Sequence, residues 1–385
     1  MSVYRPAPWV RSLYRLKQLS LFLGLLSSLP AGADLYERLD ELPNHLRSGG
    51  IPRDGIPAMT NPRAVPPDSA LYLLDTDRIV GVLINGQARA YPHRLGWKHE
   101  VINDTLGGMP LAFSLCPLTG SALVFDARTP DGDQRTFGVS GVLLNSNLVL
   151  YDRNEEDALY PQMVHAAISG KRRGERLVPL PAIETSWQLW KMLHPHTTVA
   201  QASSGLDRYP SYIQALYPQE TYNTYPYGDY RTNQERIMFH PSTADPGSAL
   251  PAKESVLGLH HHRQQKAYPL ARLPDRAVIN DVLGDLAILI VYDKPHTTGV
   301  AFNRSLDGQV LEFECSTQRG DLPLYMRDRQ THSIWDMAGR AVDGPLKGRS
   351  LRLLASHNAM YFAWSAHWPE SALWAGEGLL PTAKD

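Results

Sequence analysis

Apolar and polar positions along this chain alternate in short phases rather than in long helical stripes. Residues 111–115 and 122–125 are apolar runs divided by Cys116-Pro117-Leu118-Thr119-Gly120, a stretch of turn composition, and together they predict a β-hairpin. Residues 286–292 and 299–302 predict a second hairpin of the same kind. Helical spacing surfaces in 186–193, which stops before Pro195, and again in 360–368, which stops before Pro369. The expected class is α+β with strands dominant.

That each feature occurs twice is explained by self-comparison. Residues 80–107 align without gaps on 257–284, and eleven of the 28 pairs are identical, too many for chance. Ala90-Tyr91-Pro92 falls on Ala267-Tyr268-Pro269, and Val101-Ile102-Asn103-Asp104 on Val278-Ile279-Asn280-Asp281. With small gaps, Phe125 falls on Phe302, Asp152-Arg153 on Asp328-Arg329, Gly170 on Gly344 and Trp190 on Trp364. The expectation is two tandem homologous repeats, 76–200 and 253–375, each a small sheet or barrel with a C-terminal helix. An extension over 34–75 precedes them, a tail over 376–385 follows, and a Tyr- and Pro-rich linker over 201–252 joins them. So many tyrosines argue for a linker that is ordered and packed on the repeats.

Arg5, Arg11, Arg15 and Lys17 precede the apolar run 19–29, and Ala31-Gly32-Ala33 offers a small-x-small cleavage site. This predicts a signal peptide over 1–33 and a periplasmic or secreted protein. The run is shorter than the ~20 residues of a spanning helix, and no second apolar run reaches that length, so no transmembrane span is expected once the signal is removed. Formal net charge is -1, which removes nucleic acid as a first-choice partner and leaves a small molecule or a metal ion. No motif indicates a nucleotide cofactor. Only Cys116 and Cys315 are present, so in an oxidising compartment one disulfide competes with a free thiol.

The motifs Arg89-Ala90-Tyr91-Pro92, His99-Glu100-Val101-Ile102-Asn103-Asp104, Cys116-Pro117-Leu118-Thr119-Gly120-Ser121, Ser140-Gly141, Tyr151-Asp152-Arg153 and Trp335-Asp336 occur in order at characteristic spacing. In these the chain resembles the domain of unknown function 3179 family of exported prokaryotic proteins. The resemblance implies export and no particular activity. It also marks two departures: Thr119 stands where the family often has a second cysteine, and Lys98 where it usually has an aromatic residue, with Trp97 one position away.

Positions shared by the repeats, such as Tyr91, Asn103 and Asp104, are read as scaffold. Cys116, His99 and Glu100 face Asp293, Arg276 and Ala277 in the second repeat, so the first alone keeps a thiol, an imidazole and a carboxylate. Converging, they make either a Cys116/His99 site for copper or zinc with a redox role, or a cysteine hydrolase or transferase with Cys116 as nucleophile. A third reading is a ligand-binding protein with no catalytic residue. His93, Ser140, Asp152, Arg153 and Gln162 are the expected pocket neighbours, with an ion pair involving Asp152-Arg153 as their structural alternative. His260-His261-His262 has the composition of a metal tract, yet it occupies the strand positions of 83–85 and is expected to be incidental.

Overall fold

Asn85 and Gly86, both at positive φ (49° and 77°), make the two-residue turn that joins Arg78–Ile84 to Gln87–Pro92 as antiparallel neighbours. Ile183–Ser186 pairs antiparallel on one side of this hairpin, and Thr198–Ala200 runs parallel on the other. The structure is a computed structural model that describes residues 38–243, 249–318 and 320–378. The expected signal peptide and most of the expected tail lie outside the described residues, which belong to one compact unit, Asp34–Asp385.

The C-terminal half contains a sheet of the same strand order. Ser356–Met360, Ser255–His261, Gln264–Pro269 and Ala372–Leu373 lie side by side with antiparallel, antiparallel and parallel pairing in turn. Each sheet receives one short helix, Trp187–Leu193 in the first case and Tyr361–His367 in the second. The contact is made by a tryptophan lying flat on a glycine. A Cβ on Gly81 would come within 2.3 Å of the Trp190 ring, and one on Gly258 within 1.9 Å of Trp364. No other residue fits at either position, because a methyl group there overlaps the ring.

Two further sheets in each half share a three-strand meander, with the fourth strand added on opposite edges in the two halves. Val101–Leu106, Met109–Cys116 and Ser121–Asp126 form a meander, as do Arg276–Leu283, Leu286–Asp293 and Thr298–Asn303. Phe137–Leu144, Asn147–Asp152 and Leu159–Pro161 form another, as do Phe313–Cys315, Tyr325–Asp328 and Ile334–Asp336. The fold is strand-dominated, with 39% strand and 12% helix. None of the sheets closes, so the barrel alternative is replaced by small open sheets whose apolar faces cover one another.

The shared polar positions secure these sheets. The Tyr91 hydroxyl donates to Asp104 at 2.8 Å and that of Tyr268 to Asp281 at 2.6 Å. Asn103 exchanges two hydrogen bonds with the backbone of Phe137, and Asn280 does the same with Phe313. The 38–75 segment is tied in by two-residue strands, including Met59–Thr60 along Val101–Leu106. In the 201–252 segment Tyr222 and Tyr230 are fully buried. Among the described residues, no helix is long and apolar enough to cross a membrane.

Candidate functional site

The helix His93–His99 ends at Glu100, whose φ of 56° turns the chain sharply into Val101–Leu106. That reversal sends two adjacent side chains to different places. The fully buried ring of His99 has both nitrogens occupied: Nδ1 lies 2.7 Å from the Pro57 carbonyl and Nε2 2.7 Å from the Tyr222 hydroxyl. A carbonyl only accepts, so Nδ1 carries the proton and Nε2 accepts from the tyrosine. Burial pushes His99 down to about 4. Its lone pair is therefore committed to Tyr222, and no hydrogen bond joins it to Cys116.

Cys116 ends the strand Met109–Cys116 with no solvent exposure, its thiol 3.7 Å from the Ser146 carbonyl. Burial first, and the charge of Glu100 second, push the thiol up to about 11. Glu100 is buried on a small pocket of about 70 Å³, with Gly141, Leu148, Tyr227 and Phe239 among its walls. Desolvation raises its carboxyl to about 8. The structure thus brings Cys116 and Glu100 into electrostatic contact and leaves His99 out. Both cysteines are free, so the disulfide alternative does not form.

The expected pocket neighbours are dispersed. His93 lies 3.2 Å from Glu184, which also pairs with Arg78. The Ser140 hydroxyl donates to the Val149 carbonyl at 2.6 Å. Asp152 and Arg153 do not pair with each other: Asp152 lies 3.5 Å from Arg172, whereas Arg153 grips Asp54 at 2.6 and 2.9 Å. Gln162 borders neither the Glu100 pocket nor the histidine cavity. It belongs to a fully buried network in which Asn147 and Ser121 donate to its Oε1 at 2.8 and 2.6 Å and its Nε2 donates to Ser114 at 3.0 Å. Thr119 joins the same network through Asn147 and Ser121, giving its hydroxyl a structural duty.

The chemistry that does converge lies elsewhere. A cavity of about 360 Å³ is lined by His165, His260, His262 and His357, by the charged Arg176, and by apolar residues of Ser121–Asp126 and 177–182. His165 reaches it from the turn after Leu159–Pro161, at a φ of 59°. His357 stands opposite Gly258 in the sheet register, and His260 follows two residues later on the same face. His367, the last residue of Tyr361–His367, does not line the cavity but acts electrostatically on His165, His260 and His357 from the adjacent helix, its Nδ1 2.8 Å from the Ala363 carbonyl.

Ring centroids are 5.3 Å apart for His165 and His260, 5.9 Å for His260 and His357, and 6.1 Å for His165 and His357. Trp364 and Trp368 wall His260 at 5.1 and 4.5 Å. Burial keeps these imidazoles neutral, pushing His165 to about 3 and His357 and His367 to about 4, and His260 is lowered as well. The Nε2 atoms of all four, and Nδ1 of His260, are buried without a hydrogen-bond partner among the described residues.

At the rim, His261 lies 2.7 Å from Asp285 and its ring centroid 4.2 Å from that of His262. One ligand atom from each of His261, His262 and Asp285 falls within 4.8 Å of the others, and all three residues retain solvent access. The His260–His262 tract, expected to be incidental, therefore spans the cavity and its rim. His165, His357, His367 and Asp285 were not singled out by sequence. For His260, His357 and His367 a signal existed, since the matched positions of the N-terminal half hold Leu83, Ile183 and Leu193.

No curated protein and no solved structure matches the chain. A family described as protein of unknown function (DUF3179) matches residues 53–371, most of the length, and the chain belongs to that family.

Proposed function

We propose that the protein is exported and binds a transition-metal ion, copper or zinc, at the rim of the histidine cavity through His261, His262 and Asp285. The observation that carries this reading is the gathering of their three ligand atoms within 4.8 Å. Two imidazoles and one carboxylate suit a borderline ion far better than calcium or magnesium, which prefer oxygen ligands throughout. Three protein ligands also leave coordination positions open, and the exposed rim allows exchange. Export is supported by the basic and apolar pattern of residues 5–33. The two halves are read as copies of one unit, supported by their common strand order and by the matched Gly–Trp and Tyr–Asp contacts. The Cys116/His99 alternative has less support, because the lone pair of His99 already accepts from Tyr222.

Calorimetric titration of protein purified without a histidine tag tests this. Asp285→Ala and His261→Ala are each expected to weaken the rim ion at least tenfold for Zn²⁺ or Cu²⁺. Unchanged binding in both variants overturns the reading.

A further inference from the structure

We propose that His165, His260, His357 and His367 form a second, buried metal site, also for copper or zinc, to which the rim group passes its ion. The rim reading is used only for the entry route, and the buried site stands without it.

The first ground is the contrast between matched positions. The sheet register sets Ile183 opposite Gly81 and His357 opposite Gly258, and two residues beyond each glycine stand Leu83 and His260. Three residues beyond each glycine-packed tryptophan stand Leu193 and His367. The scaffold accepts aliphatic side chains at all three places. Histidine at all three, with a fourth supplied by the other half, is not a requirement of packing.

The second ground is the cost of what is there. A buried polar group left unsatisfied is costly, and here the Nε2 atoms of three histidines that line one cavity, and of His367 on the adjacent helix, have no hydrogen-bond partner among the described residues. A bound ion uses those lone pairs. Imidazoles held neutral by burial need release no proton to become ligands.

The third ground is spacing. With a metal–nitrogen bond of about 2.0 Å, imidazole centroids arranged tetrahedrally around one ion stand about 5 Å apart. The observed centroids stand at 5.3, 5.9 and 6.1 Å, and no three ring nitrogens of the group lie within 4.8 Å of one another, so binding requires the rings to turn as well as to close; the near-parallel His260 and His357 turn most. The donors are all nitrogen, which selects copper or zinc over hard cations. Glu184, whose Oε2 is buried without a hydrogen bond, is the carboxylate that acts electrostatically on His357.

The route follows from chain order. His261 and His262 belong to the rim, His262 also lines the cavity, and His260 lies inside it. His260 and His261 point to opposite faces of the strand, so His262, common to the rim group and the cavity lining, is the residue through which an ion held outside enters.

The test compares stoichiometry for Zn²⁺ and for Cu⁺ in wild type, Asp285→Ala, and the combined His260→Leu, His357→Ile and His367→Leu protein. Those replacements are the residues found at the matched positions, and metal-free circular dichroism and thermal melting check that the variant folds. Two equivalents are expected in wild type and one in each variant. Histidine ¹⁵N NMR of the Zn²⁺-loaded wild type is expected to show the Nε2 resonances of His165, His260 and His357 shifted. Full stoichiometry in the triple variant, or unshifted resonances, overturns the buried site. An Asp285→Ala protein that keeps both equivalents overturns the rim reading alone.

Discussion

The sheet built on Arg78–Ile84 and the sheet built on Ser255–His261 share strand order, pairing sense, and a tryptophan seated on a glycine, yet they offer opposite surfaces. The first places Leu83, Ile183 and Leu193 where the second places His260, His357 and His367. The scaffold is thus indifferent to side-chain chemistry at these positions, and their content has to be explained by something other than folding. A mirror-image contrast exists in the meanders. The N-terminal half buries Cys116 and Glu100, whereas the C-terminal half has Asp293 and Ala277 at those places and a half-buried Cys315 on an open polar cavity of about 730 Å³.

Acid breaks this comparison most strongly. The folded-state values of His165, His357 and His367 lie at about 3 to 4, below the ordinary 6.5, so their neutral forms support folding above pH 6.5. As pH falls toward 4 the unfolded chain takes up protons that the folded one refuses, and stability is lost at on the order of 3 kcal/mol per imidazole. Metal-free protein is expected to unfold within that window, and the aliphatic triple variant to resist it. Identical acid melting curves for the two would remove the histidine contribution.

Glu100 gives the next largest effect, with the opposite sign. Its folded-state value of about 8 exceeds the ordinary 4.5, so the folded protein holds the extra proton, and stability falls as pH rises from 4.5 to 8. Glu100→Gln is expected to equal wild type below pH 4.5 and to exceed it by about 5 kcal/mol above pH 8, read by urea denaturation. A constant difference across that range would contradict the burial cost assigned to this carboxyl.

The smallest effect concerns the thiols. Cys116 has no exposure and a value pushed up to about 11, while Cys315 borders an open cavity. A small thiol reagent at pH 8 is expected to label Cys315 in native protein and Cys116 only after unfolding. Faster labelling of Cys116 would restore it as a reactive centre.

Much of the scaffold was legible in the sequence because local rules specify it. The hairpins followed from short apolar runs divided by turn residues, and both short helices stopped short of the prolines predicted to end them. The site was less legible. His99 and Glu100 are neighbours in sequence, but the backbone turn at Glu100 separates their side chains, so a shared motif did not mean a shared pocket. His165, His260, His357 and His367 are separated by as much as two hundred residues, and strand register joins only His260 to His357, while a turn and a helix supply His165 and His367. Three of them were nonetheless visible as histidines aligned with aliphatic residues, a substitution that becomes informative once the face they occupy is known.

X-ray absorption of the Asp285→Ala protein loaded with one equivalent of Zn²⁺ tests the central claim most directly. The account predicts a shell of three or four imidazole nitrogens at about 2.0 Å and no sulfur. A sulfur scatterer at about 2.3 Å would contradict it and return the metal to Cys116 or Cys315.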